Sequence, residues 1–436
     1  MPYVVPSPPA PPGAPPPGPG RRGRWSRTVR RFAAVVALAT GAALAGPGTA
    51  GAAPAAPVAA EARAAAALER VTSFGANPGG LNMYVYRPAA LPASAPVVVA
   101  LHGCTQSAQV YSDNAGLNTF ADRHGFLVVY AETTTANNAN KCFNWFQPGD
   151  TRRGQGEAAS IRQMVAHAVT AYGADTGRVQ VTGLSAGGAM TSVMLAAYPD
   201  VFAAGAVVAG IPYGCGTDVV SAFGCMSPGV DRTPAAWAQA VRNAHPGFAG
   251  PWPRVAIWHG DNDATVAPRN ADELRDQWTA LHGLGQTPDR TSTIGPNSTR
   301  RSEYLAADGR SVVEVDRVPG IGHGTPVDPG SGAEQCGATG TQHFIDSICS
   351  GYWITRFFGL DGTITPEPPV DPPTEPAACW TANNFEHVRA GRATTTGGQV
   401  YAKGSGQHLG LYNTFVTHTL KESPAGHYVV ADGSCP

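Results

Sequence analysis

Charged side chains are scarce in this 436-residue chain: they make up 14% of it, and the formal net charge is -1. This composition excludes a broad basic surface for nucleic acid and an acidic interaction tail. The body also lacks an apolar run of the roughly 18 residues that a membrane-spanning helix needs. A hydrophobic share of 43% nevertheless supplies a large core. We therefore expect a soluble globular body that binds neither nucleic acid nor membrane.

The N-terminal region has the composition of an export signal. Residues 1–20 are almost entirely proline, alanine and glycine, and they are followed by a basic segment at 21–31, an apolar segment at 32–45 and A-G-A at 50–52. This order predicts a proline-rich extension and a secretory signal peptide within residues 1–52, and hence an extracellular protein. A solvated basic arm beside an alanine-rich helix is the alternative. The arginine pair at 30–31 leaves both the general and the twin-arginine export routes open.

Zinc-type cysteine spacing is missing, since the sequence has neither a C-x-x-C pair nor a cysteine–histidine cluster. No bound metal is therefore expected. Eight cysteines are present: Cys104, Cys142, Cys215, Cys225, Cys336, Cys349, Cys379 and Cys435. An even number in an exported chain predicts four disulfides. The sequence does not determine their connectivity, and we predict pairing between successive cysteines (104–142, 215–225, 336–349 and 379–435).

A proline-rich stretch divides the mature chain in two. Residues 365–378, T-P-E-P-P-V-D-P-P-T-E-P-A-A, carry six prolines and no aromatic residue, which is typical of a stiff extended spacer. We therefore predict a catalytic body at 65–362, a linker at 363–378 and a small C-terminal module at 379–436. A module of this size needs a staple such as a disulfide between Cys379 and Cys435.

Within the body, short apolar runs rich in β-branched residues alternate with helical patterns. This alternation predicts an α/β fold with a mostly parallel sheet flanked by helices on both faces. Strands are predicted at 96–101, 126–130, 178–182, 203–209, 254–258 and 312–318, and helices at 114–123, 157–172, 189–198 and 341–358.

The segment 180–191, Q-V-T-G-L-S-A-G-G-A-M-T, contains a candidate nucleophile. A G-x-S-x-G pattern alone is weak in a glycine-rich chain, but this one lies between a predicted strand and a predicted helix. That context is the one in which a sharp turn exposes a nucleophilic serine. The prediction is that Ser185 is a nucleophile and not merely a small residue in a glycine-rich corner.

A serine nucleophile needs a histidine base and a carboxylate that orients the base. The carboxylate candidates, Asp261 and Asp263, both follow the predicted strand 254–258; we prefer Asp263 and interpret Asp261 as a turn residue. Three histidines of the body lie downstream, namely His282, His323 and His343. His323 is preferred because it lies in the loop P-G-I-G-H-G-T-P, whereas the other two lie in helical patterns.

Two backbone N–H groups must stabilise the oxyanion that forms during ester cleavage. One is predicted at Ala186, directly after the serine. The second is predicted at Cys104, in the loop L-H-G-C-T-Q at 101–106 that follows an early strand. The Gln106 side chain is a candidate supporter of this loop and a candidate substrate contact, and a disulfide from Cys104 to Cys142 would fix the loop in place.

Five motifs together resemble the extracellular polyhydroxybutyrate depolymerase-type esterases, which include feruloyl and acetylxylan esterases. They are L-H-G-C-T-Q, C-F-N-W-F, G-L-S-A-G-G-A-M, W-H-G-D-N-D-A-T-V and G-I-G-H-G-T-P, and the resemblance spans about residues 70–360. It implies an α/β-hydrolase fold, a Ser185–Asp263–His323 triad and no cofactor. It also implies that Trp145 lies near the cleft and binds substrate, with a core position as the alternative.

The C-terminal module resembles a small domain appended to some of these depolymerases. Its aromatic residues are expected to divide between the core, which should take at least half of them, and a polymer-gripping surface; they are Trp380, Phe385, Tyr401, Tyr412 and Tyr428. The function predicted first is a secreted, monomeric serine esterase acting on polyhydroxyalkanoate-type polyesters or oligomers. A feruloyl or acetylxylan esterase is the alternative, and an inactive polymer-binding scaffold is the least favoured hypothesis.

Overall fold

A computed structural model describes residues 68–362, 379–422 and 427–433. The predicted signal region 1–52, the predicted linker 363–378 and Cys435 lie outside the described residues.

The body is built on a ten-stranded sheet with the order β1-β2-β4-β3-β5-β6-β7-β10-β9-β8. Neighbouring strands are parallel from β4 to β10 and antiparallel towards both edges. The strands are β1 (Glu69–Val71), β2 (Asn82–Tyr86), β3 (Val97–Leu101), β4 (Leu127–Glu132), β5 (Val179–Leu184), β6 (Ala204–Val208), β7 (Arg254–Gly260), β8 (Arg290–Ile294), β9 (Thr299–Leu305) and β10 (Ser311–Val318). This is the mostly parallel α/β sheet that the sequence predicts.

The central strands are buried because apolar side chains project from both faces of the sheet. In β3, Val97, Val99 and Leu101 belong to one hydrophobic core, while Val98 and Ala100 belong to the other. Consecutive side chains of a strand point to opposite faces, so an uninterrupted apolar run requires cover on both. Helices supply this cover: α1 (Ala108–Asn114), α2 (Leu117–His124), α3 (Pro148–Thr151), α4 (Gly156–Tyr172), α5 (Ala186–Ala197), α6 (Val219–Met226), α7 (Pro234–Ala244), α8 (Arg269–Leu281) and α9 (Ser350–Phe357).

Two of the predicted helices differ from the structure. The helix predicted at 114–123 is replaced by the end of α1 and by α2, because Gly116 adopts a left-handed conformation (φ 80°) between them. The helix predicted at 341–358 is wrong in its first half. There the chain turns at His343 (φ 68°) and forms β12 (Phe344–Asp346), which pairs in parallel with β11 (Thr325–Val327). A left-handed residue cannot continue a right-handed helix, so only α9 is helical.

Three of the four predicted disulfides are present: Cys104–Cys142, Cys215–Cys225 and Cys336–Cys349. Cys379 is also disulfide-bonded, but its predicted partner Cys435 lies outside the described residues. Within the described ranges, no helix is long and apolar enough to cross a membrane.

The C-terminal module contains two three-stranded antiparallel sheets and one short helix. These elements are β13 (Cys379–Asn383), α10 (Asn384–Arg389), β14 (Ala393–Thr396), β15 (Gln399–Ala402), β16 (His408–Leu411), β17 (Thr417–Glu422) and β18 (Tyr428–Val430). The buried core of the module consists of Ala393, Val400, Ala402, Leu409 and Leu420. Of the five aromatic residues only Tyr428 packs against it, which is fewer than the half that the sequence predicts.

Candidate active site

Ser185 lies on a sharp turn between β5 and α5. Its backbone is at φ 57° and ψ -117°, a sparsely populated conformation that costs on the order of 1–3 kcal/mol for a residue with a side chain. The Ser185 N–H donates to the Val208 carbonyl at 2.9 Å. A Cβ at Gly187 would collide with the carbonyl oxygens of Leu101 and His102. The glycine therefore lets α5 approach the sheet closely enough to hold the turn in place.

Asp263 lies in the loop after β7 and is 4% exposed. Its Oδ1 accepts the N–H groups of Thr265 and Val266, both at 2.8 Å, and its Oδ2 lies 2.7 Å from His323 Nδ1. Asp261 instead forms an ion pair with Arg300 at 2.7 Å on the surface. Of the two candidate carboxylates, only Asp263 contacts the predicted base.

The surroundings of Asp263 keep its carboxylate ionised. Burial by itself would raise its pKa, but hydrogen bonds from His259 and His323, the charge of His323 and the Val266 amide outweigh burial and hold the pKa of Asp263 well below its usual range. His259 was not singled out from the sequence. It is buried, with Nε2 2.8 Å from the Val266 carbonyl and 3.5 Å from Asp263 Oδ2. The spacing of four residues in W-H-G-D-N-D is the signal that links it to the carboxylate.

His323 lies in the loop after β10, and its side chain is 8% exposed. The Asp263 carboxylate can only accept, so Nδ1 of a neutral His323 carries the proton and Nε2 keeps its lone pair. His323 and Ser185 line the same cavity, which has a volume of about 410 Å³. Of the three residues predicted to form the triad, His323 thus contacts Asp263, and His323 and Ser185 line one cavity.

The other two histidine candidates have different surroundings. His282 follows α8 and contacts the Pro253 carbonyl through Nε2 at 3.0 Å, and burial lowers its pKa. His343 was predicted to lie in a helix, which is wrong. It lies in the turn before β12, lines the cavity and contacts the His323 carbonyl.

The loop that follows β3 is held by its own side chains. Gln106 Oε1 accepts the Gly103 N–H at 2.9 Å, and His102 Nδ1 lies 2.7 Å from the Gly103 carbonyl. Burial lowers the pKa of His102 to about 4, so this imidazole is neutral and donates from Nδ1. Neither the Cys104 amide nor the Ala186 amide has an acceptor among the described residues. Both N–H groups are therefore available to a ligand, as the oxyanion prediction requires.

The two predicted substrate contacts occupy different positions. Trp145 lines the cavity while also packing in the core, and its ring meets that of Phe146 edge-on at 5.4 Å. Gln106 is buried behind the Gly103 loop and is not among the cavity-lining residues. Its contacts support the loop and differ from the predicted contact with substrate.

A buried carboxyl group supports the segment that carries Trp145. Glu157, at the start of α4, accepts the Asn144 N–H at 2.7 Å. Burial raises the pKa of Glu157 to about 8, because no cation of the described residues offsets the loss of water around its charge. The sequence offered no signal for this role, since Glu157 reads as an ordinary acidic residue in the first turn of a helix.

Helix α6 forms one apolar wall of the cavity. Val219, Ala222, Phe223 and Met226 line it, and their spacing places them along one helix face. Phe223 is also 66% exposed and Val220 is 82% exposed, and α6 carries no charged residue. The cavity therefore continues into an exposed apolar surface, and such a surface can bind an apolar acyl group. Among the described residues, no group of three or more His, Cys, Asp or Glu side chains is arranged to hold a metal ion.

A mostly parallel sheet, a strained serine at a strand-to-helix turn and an Asp–His pair from later strands together define an α/β-hydrolase. A profile described as esterase PHB depolymerase matches residues 81–299 of this chain. The chain belongs to the esterase PHB depolymerase family, and it is a carboxylic ester hydrolase.

Individual relatives agree with this assignment. Poly(3-hydroxyalkanoate) depolymerase C of Paucimonas lemoignei is 52% identical over 68% of this chain and 71% of its own length. An acetylxylan esterase of Coprinopsis cinerea is 38% identical over 60% and 70%, respectively. Feruloyl esterase B of Talaromyces stipitatus is 36% identical over 63% and 77%. Among solved structures, an acetyl xylan esterase from Aspergillus awamori matches with a TM-score of 0.57 and 29% identity over 67% of this chain and 99% of its own.

Proposed function

We propose that this ester hydrolase is a secreted serine esterase that cleaves polyhydroxyalkanoate-type polyesters or their oligomers through an acyl-enzyme. The observation that carries the mechanism is the 2.7 Å contact between His323 and Asp263 at the cavity that Ser185 also lines. A hydroxyl group is a weak nucleophile, and an adjacent oriented imidazole is the usual means of activating it.

In the acylation step, His323 Nε2 accepts the Ser185 Oγ proton as Oγ attacks the ester carbonyl carbon. The carbonyl oxygen becomes an oxyanion, which accepts the N–H groups of Cys104 and Ala186. His323 then returns the proton to the departing alkoxy oxygen, so an alcohol leaves and an ester to Ser185 remains. Asp263 stays ionised and stabilises the imidazolium that forms between these transfers.

In the deacylation step, the same groups act on water. His323 takes a proton from a water molecule whose oxygen attacks the acyl carbon, and the oxyanion again accepts both backbone donors. Collapse of this intermediate breaks the bond to Ser185 Oγ, which recovers its proton from His323. The products are a carboxylic acid and the regenerated enzyme, and no cofactor takes part.

Polyester as substrate is supported by the 52% identity to a poly(3-hydroxyalkanoate) depolymerase, the highest of the identities given above. The apolar wall formed by α6 also favours an aliphatic acyl chain. Feruloyl or acetyl esters of plant cell-wall polysaccharide are the second candidate substrates, and their support is the 36–38% identity to enzymes named for those activities.

The domain organisation is part of the same proposal. Export is supported by the signal-like segment within residues 1–52 and by the three disulfides of the body. The module at 379–436 is proposed to bind polymer. Its support is a set of exposed apolar side chains: Phe385 (39% exposed), Leu411 (57%), Tyr412 (43%) and Phe415 (90%).

A substrate panel with two variants tests the proposal. Wild type and Ser185→Ala are compared on p-nitrophenyl acyl esters, methyl ferulate, acetylated xylan and polyhydroxybutyrate film. The proposal requires film hydrolysis by wild type and loss of all ester hydrolysis in Ser185→Ala. Wild type that cleaves ferulate or acetylxylan but not film supports the second candidate, and an active Ser185→Ala variant refutes the nucleophile. A chain ending at residue 362 tests the module through adsorption to polymer particles.

A further inference from the structure

The loop that carries His323 is rich in glycine, so its sequence alone does little to restrict the backbone. Glycines flank the histidine on both sides in the sequence P-G-I-G-H-G-T-P at 319–326, and a glycine restricts its neighbours less than any other residue does. On the N-terminal side, the Asn262 N–H donates to the Ile321 carbonyl at 3.0 Å. The backbone at His323 itself needs a further contact if its ring is to keep one orientation.

His343 supplies that contact. Its Nδ1 lies 3.1 Å from the His323 carbonyl oxygen, and the two rings meet nearly perpendicularly with centroids 5.6 Å apart. A carbonyl oxygen can only accept, so Nδ1 of His343 is the donor. His343 reaches this position through a left-handed backbone conformation (φ 68°), which is uncommon outside glycine.

The two loops are also joined through their main chains. The Thr325 N–H donates to the His343 carbonyl at 2.7 Å, and this contact continues directly into the pairing of β11 with β12. A Cβ at Gly324 would lie 2.8 Å from the His343 carbonyl oxygen, so the segments are in close contact. The main chain that carries His343 is therefore joined to the histidine loop, and the contact of its side chain with the His323 carbonyl is added to these main-chain contacts.

The same turn reaches the loop of Cys104, one of the two predicted oxyanion donors. Gln106 Oε1 accepts the Gly103 N–H at 2.9 Å, while its Nε2 makes a long contact of 3.5 Å with the Gln342 carbonyl. One short segment, 342–343, thus contacts both the histidine loop and the support of the Cys104 loop.

We propose that His343 is a positioning residue of the esterase site. Its Nδ1–H holds the His323 carbonyl so that the His323 ring keeps its bond to Asp263 and stays at the cavity that Ser185 also lines. This inference depends on the proposed function, because a base that needs positioning exists only if His323 acts on Ser185.

Two variants of matched size test this role. His343→Asn and His343→Asp both suit a left-handed backbone, but only the asparagine side chain can donate to a carbonyl. Since a displacement of about 1 Å in a catalytic group costs about 100-fold, we expect His343→Asp to lower kcat on a soluble p-nitrophenyl ester about 10- to 100-fold with little change in KM. His343→Asn should stay within about threefold of wild type.

A small covalent reagent separates positioning from substrate binding. A sulfonyl fluoride reacts with the activated serine but has no acyl chain, so its inactivation rate should fall in His343→Asp by the same factor as kcat. A change in KM alone, with normal inactivation, would instead indicate a substrate contact and overturn the proposal. Wild-type kcat in His343→Asp would overturn it as well, as would equal losses in both variants.

The thermal unfolding midpoint of each variant is measured alongside its kinetics to show that the variant is folded. If His343→Asp fails to fold, His343→Gly replaces it, because glycine accepts φ 68° without strain and provides no side-chain donor. The Ser185→Ala variant, in which His343 is intact, distinguishes failure of the two proposals. Ester hydrolysis by Ser185→Ala refutes the serine mechanism. If Ser185→Ala is inactive but His343→Gly or His343→Asp is fully active, only the positioning role of His343 is refuted.

Discussion

Replacing Asp263 with asparagine is expected to disable the site while leaving its geometry nearly intact. Oδ1 of Asp263 accepts two backbone N–H groups at 2.8 Å, and an asparagine oxygen can accept the same pair. The amide nitrogen then faces His323 Nδ1, where the structure has a carboxylate oxygen at 2.7 Å. An amide nitrogen donates, so His323 must accept at Nδ1 and carry its proton on Nε2. In that tautomer the imidazole can no longer take a proton from Ser185.

The expected loss of turnover in Asp263→Asn combines two causes: His323 no longer acts as a base, and the negative charge that stabilises its imidazolium form is removed. The equivalent change in a serine–histidine–aspartate triad lowers turnover by about 10⁴, which corresponds to about 5.4 kcal/mol in activation free energy. Because the pKa of Asp263 lies well below its usual range, the wild-type carboxylate is charged at any ordinary assay pH. The loss should therefore be seen across the neutral range and not only at one pH.

The assay is the initial rate of p-nitrophenyl ester hydrolysis, with the thermal unfolding midpoint measured in parallel. Asp261→Asn is the matched control, since it removes a surface ion pair with Arg300 two residues away and should leave turnover within about twofold, as expected for a surface pair. An Asp263→Asn enzyme that folds normally and keeps more than about a tenth of wild-type turnover would refute the tautomer argument and the assignment of Asp263.

Three further substitutions test other features of the structure. In the folded protein the pKa of Glu157 is raised to about 8, so folding favours the protonated carboxyl group. The resulting stabilisation is fully present below the pKa of Glu157 in the unfolded chain, and it is lost as the pH rises through its pKa in the folded protein. Glu157→Gln should therefore raise the unfolding midpoint relative to wild type more at about pH 9 than at about pH 5, and an equal change at both would contradict this. Gly187→Ala should lower soluble yield and unfolding temperature, because its Cβ meets two backbone carbonyl oxygens; a stable, active Gly187→Ala enzyme would show that α5 can shift. Phe223→Ser should slow hydrolysis of polyester film by about 30-fold while soluble-ester turnover changes little, since about 2 kcal/mol of apolar contact is removed from the polymer. Film rates equal to wild type would exclude Phe223 from polymer contact, and Val110→Ser, at a half-buried residue that does not line the cavity, serves as the control.

The three residues of the proposed triad could be placed from the sequence because each occupies a position that the fold type defines. Ser185 follows a β-branched strand and precedes small residues, and only that order produces the exposed turn. Asp263 and His323 each follow a strand, and the two strands, β7 and β10, are parallel neighbours. The exits of parallel neighbours lie at the same edge of a sheet, so the two loops meet even though 60 residues separate them.

The parts that escaped prediction depend on contacts between distant segments. The apolar spacing at 341–358 resembles a helix, but the pairing of β12 with β11 outweighs this local preference and turns His343 towards His323. Glu157 could not be recognised either, because its role depends on Asn144 lying against it in the folded state. In the C-terminal module, large aromatic residues were expected in the core, but its buried residues are aliphatic.

The two edge strands of the ten-stranded sheet affect the tendency of the protein to aggregate at high concentration. Exposed main-chain groups at the last strand of any open sheet can recruit a second molecule and begin aggregation. Here one edge strand is the three-residue β1, with exposed Glu69 and Arg70, and the other is β8, in which only the final residue is even partly buried. Such short or polar edge strands disfavour edge-to-edge pairing between copies of the chain, so the sheet carries its own protection against aggregation.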